Sequence, residues 1–104
     1  MKSCKSMEEV REEIDRLDRA IVPLLVERVG YIEQAAHIKQ ARDAVRDEAR
    51  IDDVLAKTRA SAEAAGGHAD MVETVYRTLV EWSIAHEFDV FDALARRQDA
   101  TASN

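Results

Sequence analysis

Residues 7–40, MEEVREEIDRLDRAIVPLLVERVGYIEQAAHIKQ, carry the strongest structural signal in the chain. The apolar residues among them fall at Val10, Ile14, Leu17, Ile21 and Leu24, then at Ile32 and Ala35, the spacing of one stripe along an α-helix. Ser6 stands where an N-cap is needed, and Glu9, three residues on, can complete a capping box. The pattern predicts a first helix from Met7 to about Gln40. Pro23 interrupts the chemistry but not the phase: a proline inside a helix removes one backbone hydrogen bond and costs about 3 kcal/mol or more. Ala20, Ile21 and Val22 supply no turn residue before it, so a continuous helix kinked at Pro23 is expected rather than a break.

Beyond Gln40 the apolar period is lost through residues 42–47, which read as a short loop. Asp47 can cap a second helix, whose apolar face is Ile51, Val54, Leu55 and Ala62 and which Gly66 and Gly67 should stop. A third helix begins near His68 to Asp70 and carries the stripe Val72, Val75, Tyr76, Leu79, Val80, Ile84, Val90, Phe91 and Leu94. The polar tail 96–104 is expected to be disordered, leaving an ordered core over residues 7–95 of a single domain, 1–104. With 46% apolar residues, 35% charged, three glycines and one proline in 104 residues, the chain reads as all-α: three helices, the first long.

Composition also excludes partners. A net charge of −6 offers no broad basic surface, which argues against nucleic acid and anionic membranes, so an anionic ligand must be met by a local cluster. The longest apolar run, Ala20 to Val26, is far short of the ~20 residues that span a bilayer. The N-terminus lacks the apolar core of a signal peptide, and the lone Cys4 can form no internal disulfide, so a cytoplasmic protein is expected. His37, His68 and His86 lack a paired metal-ligand spacing, so no metal is expected. A helix of about 35 residues would span roughly 50 Å, more than a compact chain of this size can cover, and two copies covering each other's stripes make a homodimer.

The informative residues are polar groups at core positions. Stepping by four from Leu24 lands on Arg28, and from Ala35 on Lys39; in the third helix the same stepping lands on Ser83 and Glu87. Burying such groups unpaired costs several kcal/mol. One reading is an interhelical salt-bridge network with long side chains reaching out of the seam. The other starts from the count: Arg28 and Lys39 outnumber Glu87, with Arg11 and Arg50 at helix starts, so the seam would take a small, multiply anionic ligand. Trp82, Tyr31, Tyr76, Phe88 and Phe91 read as packing residues, and Asp15 and Asp18 as caps or partners of nearby arginines.

Arg11, Ile14, Asp15, Asp18, Ile21, Leu24, Leu25 and Arg28, with Lys39 eleven residues further on, reproduce the pattern R-x-x-I-D-x-x-D-x-x-[IL]-x-x-L-[LI]-x-x-R of the all-α chorismate mutases. The chain resembles that family from residue 8 to about 95. The resemblance implies an intertwined homodimer with two equivalent sites for the dicarboxylate chorismate, which rearranges to prephenate without a cofactor. It implies that Arg28, together with Arg11 contributed across the interface, holds the two carboxylates. Lys39 and Glu87 would donate to the ether oxygen, Arg50 would assist at the ring carboxylate, and Asp47 and Ser83 would make secondary contacts. A [3,3] rearrangement needs no nucleophile, so catalysis there means holding the reactive conformer and stabilising charge on the ether oxygen.

Two departures stand out. Many family members have glutamine at the position of Glu87, and only a protonated glutamate can donate a hydrogen bond, so activity favouring acidic pH is expected. Many have glutamate where this chain has Ile51, which removes a partner for the ring hydroxyl. Ile51 and the short 40–48 loop are similar to isochorismate pyruvate-lyases, which form salicylate and pyruvate. The alternatives are therefore that lyase, a 4-amino-4-deoxychorismate mutase, or a helical dimerisation module without activity.

Overall fold

The computed structural model describes residues 1–102, and side chains through residue 100. Three α-helices and one 3-10 turn make up the chain: α1 (Met7–Ile38), η1 (Arg42–Ala44), α2 (Glu48–Ala64) and α3 (Ala69–Ala102). The protein is all-α, and no strand occurs among the described residues.

α1 runs without interruption across Pro23, as the unbroken phase of its stripe predicts. Ser6 Oγ accepts from the Glu9 backbone N–H at 3.1 Å. The return bond of the capping box falls one residue earlier than expected, with the Lys5 N–H donating to Glu9 Oε2 at 2.9 Å. Glu8 and Glu9 in the first turn also suit the positive end of the helix dipole. The helix ends at Ile38 rather than Gln40, and the Lys39 N–H still reaches the Ala35 carbonyl at 3.0 Å.

Asp47 caps α2 as expected, its Oδ1 accepting from the Arg50 N–H at 3.1 Å. Past the end of α2, Gly66 and Gly67 adopt φ of 120° and 130°, and the Gly67 N–H returns to the Ala62 carbonyl at 2.9 Å. A Cβ on either glycine would meet nothing within 4 Å, so glycine is needed there for its backbone freedom and not for space. His68 follows at φ 64°, and its carbonyl accepts from Val72 to start α3.

One expectation is corrected. The tail from Arg96 is not disordered through its described part: α3 continues to Ala102, and residues 103–104 lie outside the described residues. Residues 95–100 contain no glycine or proline, and extending an existing helix adds a hydrogen bond for each residue ordered, without a new nucleation cost.

The chain divides into two compact units, Met1–Tyr31 and Ile32–Asn104. In the first, the stripe residues Ile14, Leu17, Ile21 and Leu24 are exposed, from 47% at Leu17 to 64% at Leu24. In the second, α2 and η1 pack on α3 around Ala36, Val45, Leu55, Ala62 and Val80. Val45 is a finding of the structure: it lies in a stretch without apolar period, yet it is buried just past η1. Tyr31 and Trp82 are more than half exposed in this chain.

Candidate functional site

The third helix buries two polar side chains in the second unit, Ser83 at 3% and Glu87 at 4% exposure. These are the positions at which helical stepping met the seam. Ser83 Oγ donates to the Leu79 carbonyl at 2.7 Å, a bond within its own helix, and Glu87 lies one turn further on the same face. Lys39, just beyond α1, reaches Glu87: its Nζ donates to Glu87 Oε2 at 2.6 Å and to the Val45 carbonyl at 3.4 Å. The glutamate is the buried member of this pair, and the lysine side chain keeps 28% exposure. The ion pair anticipated as the plainer reading of the seam therefore forms. It places an ammonium and a carboxyl at one point, where they can act on the same atom of a ligand.

The other anticipated residues fall as follows. Asp47, Arg50 and Ile51 occupy the start of α2: Asp47 caps it, Ile51 is half-buried, and the Arg50 guanidinium donates to Asp53 Oδ2 at 2.6 Å. Lys57 bonds the same oxygen at 2.8 Å, and its hydrogen bond with that from Arg50 holds the Asp53 carboxyl below the ordinary carboxylate range. Arg11 and Arg28 belong to the first unit, Arg11 exposed and Arg28 half-buried.

Sequence reading missed the ion pairs that join residues 42–46 to α3. Arg42 donates from Nε and Nη2 to the two oxygens of Asp92 at 2.9 and 3.3 Å, and its guanidinium carbon lies 4.4 Å from the centroid of the Phe88 ring. Arg46 donates from Nη1 and Nη2 to the two oxygens of Glu81 at 3.0 and 2.9 Å. Pairing with Arg42 lowers the Asp92 carboxyl below its ordinary range, and Arg46 does the same to Glu81. A lowered folded value means that each pair's contribution is complete above the unfolded carboxylate range. It is lost as pH falls beneath the ordinary carboxylate range and through the lower folded value. The only hint in the sequence was two arginines four apart flanking an isolated valine. A further bond joins Glu33 Oε2 to His86 Nε2 at 2.8 Å, and His86 stacks on Trp82 with ring centroids 5.0 Å apart.

No helix among the described residues is long and apolar enough to cross a membrane. Nor do any three His, Cys, Asp or Glu side chains among them converge as metal ligands would. The described residues thus form an all-α protein in which Lys39 meets the buried Glu87 carboxyl. The chain belongs to the chorismate mutase type II family, whose sequence model matches residues 10–88. It is 31% identical over 84 residues to the isochorismate pyruvate lyase of Pseudomonas aeruginosa, covering 81% of this chain and 83% of that protein. It is also 31% identical over 88 residues to the T-protein of Haemophilus influenzae, covering 84% of this chain and 23% of that one.

Proposed function

We propose that this protein rearranges chorismate to prephenate, by holding the dicarboxylate in its reactive conformer and stabilising the charge that grows on the ether oxygen. The observation that carries this assignment is the Lys39–Glu87 pair, a buried carboxyl and an ammonium 2.6 Å apart in a chain of this family. Lys39 and a protonated Glu87 donate to the ether oxygen. Arg28 and a second copy's Arg11 hold the carboxylates, since arginine pairs with a carboxylate through two parallel bonds. Arg50 assists at the ring carboxylate, and Asp47, Ile51 and Ser83 complete the substrate contacts.

A homodimer belongs to this proposal, and the exposed stripe Ile14, Leu17, Ile21 and Leu24 supports it, because four large apolar side chains on one helix face gain by being covered. Chains carrying Arg11→Ala and chains carrying Lys39→Ala, each inactive alone, are expected to regain activity on mixing. Each heterodimer then holds one site with both residues intact. No recovery after subunit exchange has been confirmed removes the shared site.

A second reading has its own support. The likeness to a lyase extends over 83% of that relative, and Ile51 offers no hydrogen bond to a ring hydroxyl. Incubation of the purified protein with chorismate at pH 5 and pH 8, with products followed by NMR, separates the two. Prephenate formed faster at pH 5 supports the mutase and a donating Glu87. No acceleration at either pH overturns it, and turnover of isochorismate to salicylate and pyruvate then establishes the lyase.

A further inference from the structure

Residues 42–46 are fastened to α3 at two places that bracket the Lys39–Glu87 contact. Asp92, the partner of Arg42, lies five residues after Glu87 on α3, and Glu81, the partner of Arg46, six before it. At 1.5 Å per residue, the two fastenings stand about 7.5 and 9 Å to either side of Glu87 along the helix axis. Each is a fork in which one guanidinium meets both oxygens of one carboxylate, so it fixes orientation as well as distance. Phe88, next to Glu87, adds its ring face to the first fork.

Between the forks, Val45 turns its side chain into the core and offers its carbonyl to the Lys39 ammonium. The ammonium therefore has two partners from two elements: the Glu87 carboxyl on α3 and a carbonyl on the fastened turn. Exposed ion pairs add little to overall stability, so two forks on one short turn do more for local geometry than for the folded state as a whole.

We infer that the Arg42–Asp92 and Arg46–Glu81 pairs are positioning pairs for Lys39, holding residues 42–46 against α3 so that the Val45 carbonyl and Glu87 together aim the ammonium at the reacting oxygen. This rests on the proposed role of Lys39 in the reaction. A rigid ammonium costs no reorganisation as charge develops, whereas one displaced by about 1 Å can lose up to 10²-fold in rate.

The test is the Asp92→Asn, Glu81→Gln double variant, which keeps shape but removes both charges, with Asp92→Asn alone as the milder variant should the double one fail to fold. Two readouts are needed. The first is trace acetylation of the folded protein, with modification of Lys39 measured by mass spectrometry against Lys57, whose ion pair with Asp53 is untouched. The second is kcat and KM. Lys39 labelling is expected to rise several-fold with Lys57 unchanged, and kcat to fall about tenfold with KM within twofold. Restoring a charged fork with Asp92→Glu is expected to recover most of the loss, which a merely space-filling role would not produce. Unchanged Lys39 labelling, or raised labelling with kcat unchanged, overturns the inference. Should the wild-type protein turn over neither chorismate nor isochorismate, the functional proposal fails instead, and labelling alone still decides whether the forks hold Lys39.

Discussion

Replacing Lys39 with alanine is expected to lower kcat for prephenate formation by about 10² to 10³, the usual consequence of removing one donor aimed at developing charge. The same substitution also has a structural effect. Glu87 is 4% exposed and loses the ammonium that stood 2.6 Å from its carboxyl, and breaking a buried pair costs about 3–5 kcal/mol. Because the lysine end keeps 28% exposure, water can reach the vacated space, and a loss nearer about 2 kcal/mol is expected. The two effects separate in the Lys39→Ala, Glu87→Gln double variant. A neutral amide no longer needs a counter-charge, so the denaturation midpoint recovers toward wild type, while kcat does not. A Lys39→Ala protein that folds and keeps kcat within threefold of wild type would remove Lys39 from the reaction.

Glu87→Gln is expected to act in the opposite direction. An ionised carboxyl only accepts hydrogen bonds, and Glu87 Oε2 already accepts from Lys39, so the ionised glutamate has nothing to give the ether oxygen. Only the protonated acid has a donor to give. The wild-type rate should therefore rise from pH 8 to pH 5. A glutamine carries two N–H donors at every pH and keeps a carbonyl oxygen for Lys39. The variant should show a flat profile over this range and exceed the wild type at pH 8 by about tenfold or more. An acidic optimum that survives the substitution would remove Glu87 from the pH dependence.

Two buried polar positions could be found from helical stepping alone. Steps of three and four along the third helix arrived at Ser83 and Glu87, and both are buried. The same periodicity carried α1 across Pro23, and Asp47 and the Gly66–Gly67 pair marked the ends of α2 where they lie. These features are local: a cap, a positive φ or an apolar stripe depends on residues a few positions away, and a helix repeats its geometry at every turn. The extent of α3 was misjudged because a polar run reads as tail, whereas extending a helix already nucleated needs only residues that do not break it.

Helical class, family and the short roll of charged residues standing where apolar ones are expected are all legible in the chain before it folds. How those charges are partnered is fixed only once the elements pack. Lys39 and Glu87 are 48 residues apart, Arg42 and Asp92 50, and Arg46 and Glu81 35. No period links a 3-10 turn to a helix that far away. Val45 could not be recognised as core, nor its carbonyl as a partner of the lysine, until α3 was packed against the turn that carries it. Periodicity constrains which face of an element is buried; the choice of partner across elements is made by packing, where a charge removed from water must meet its complement.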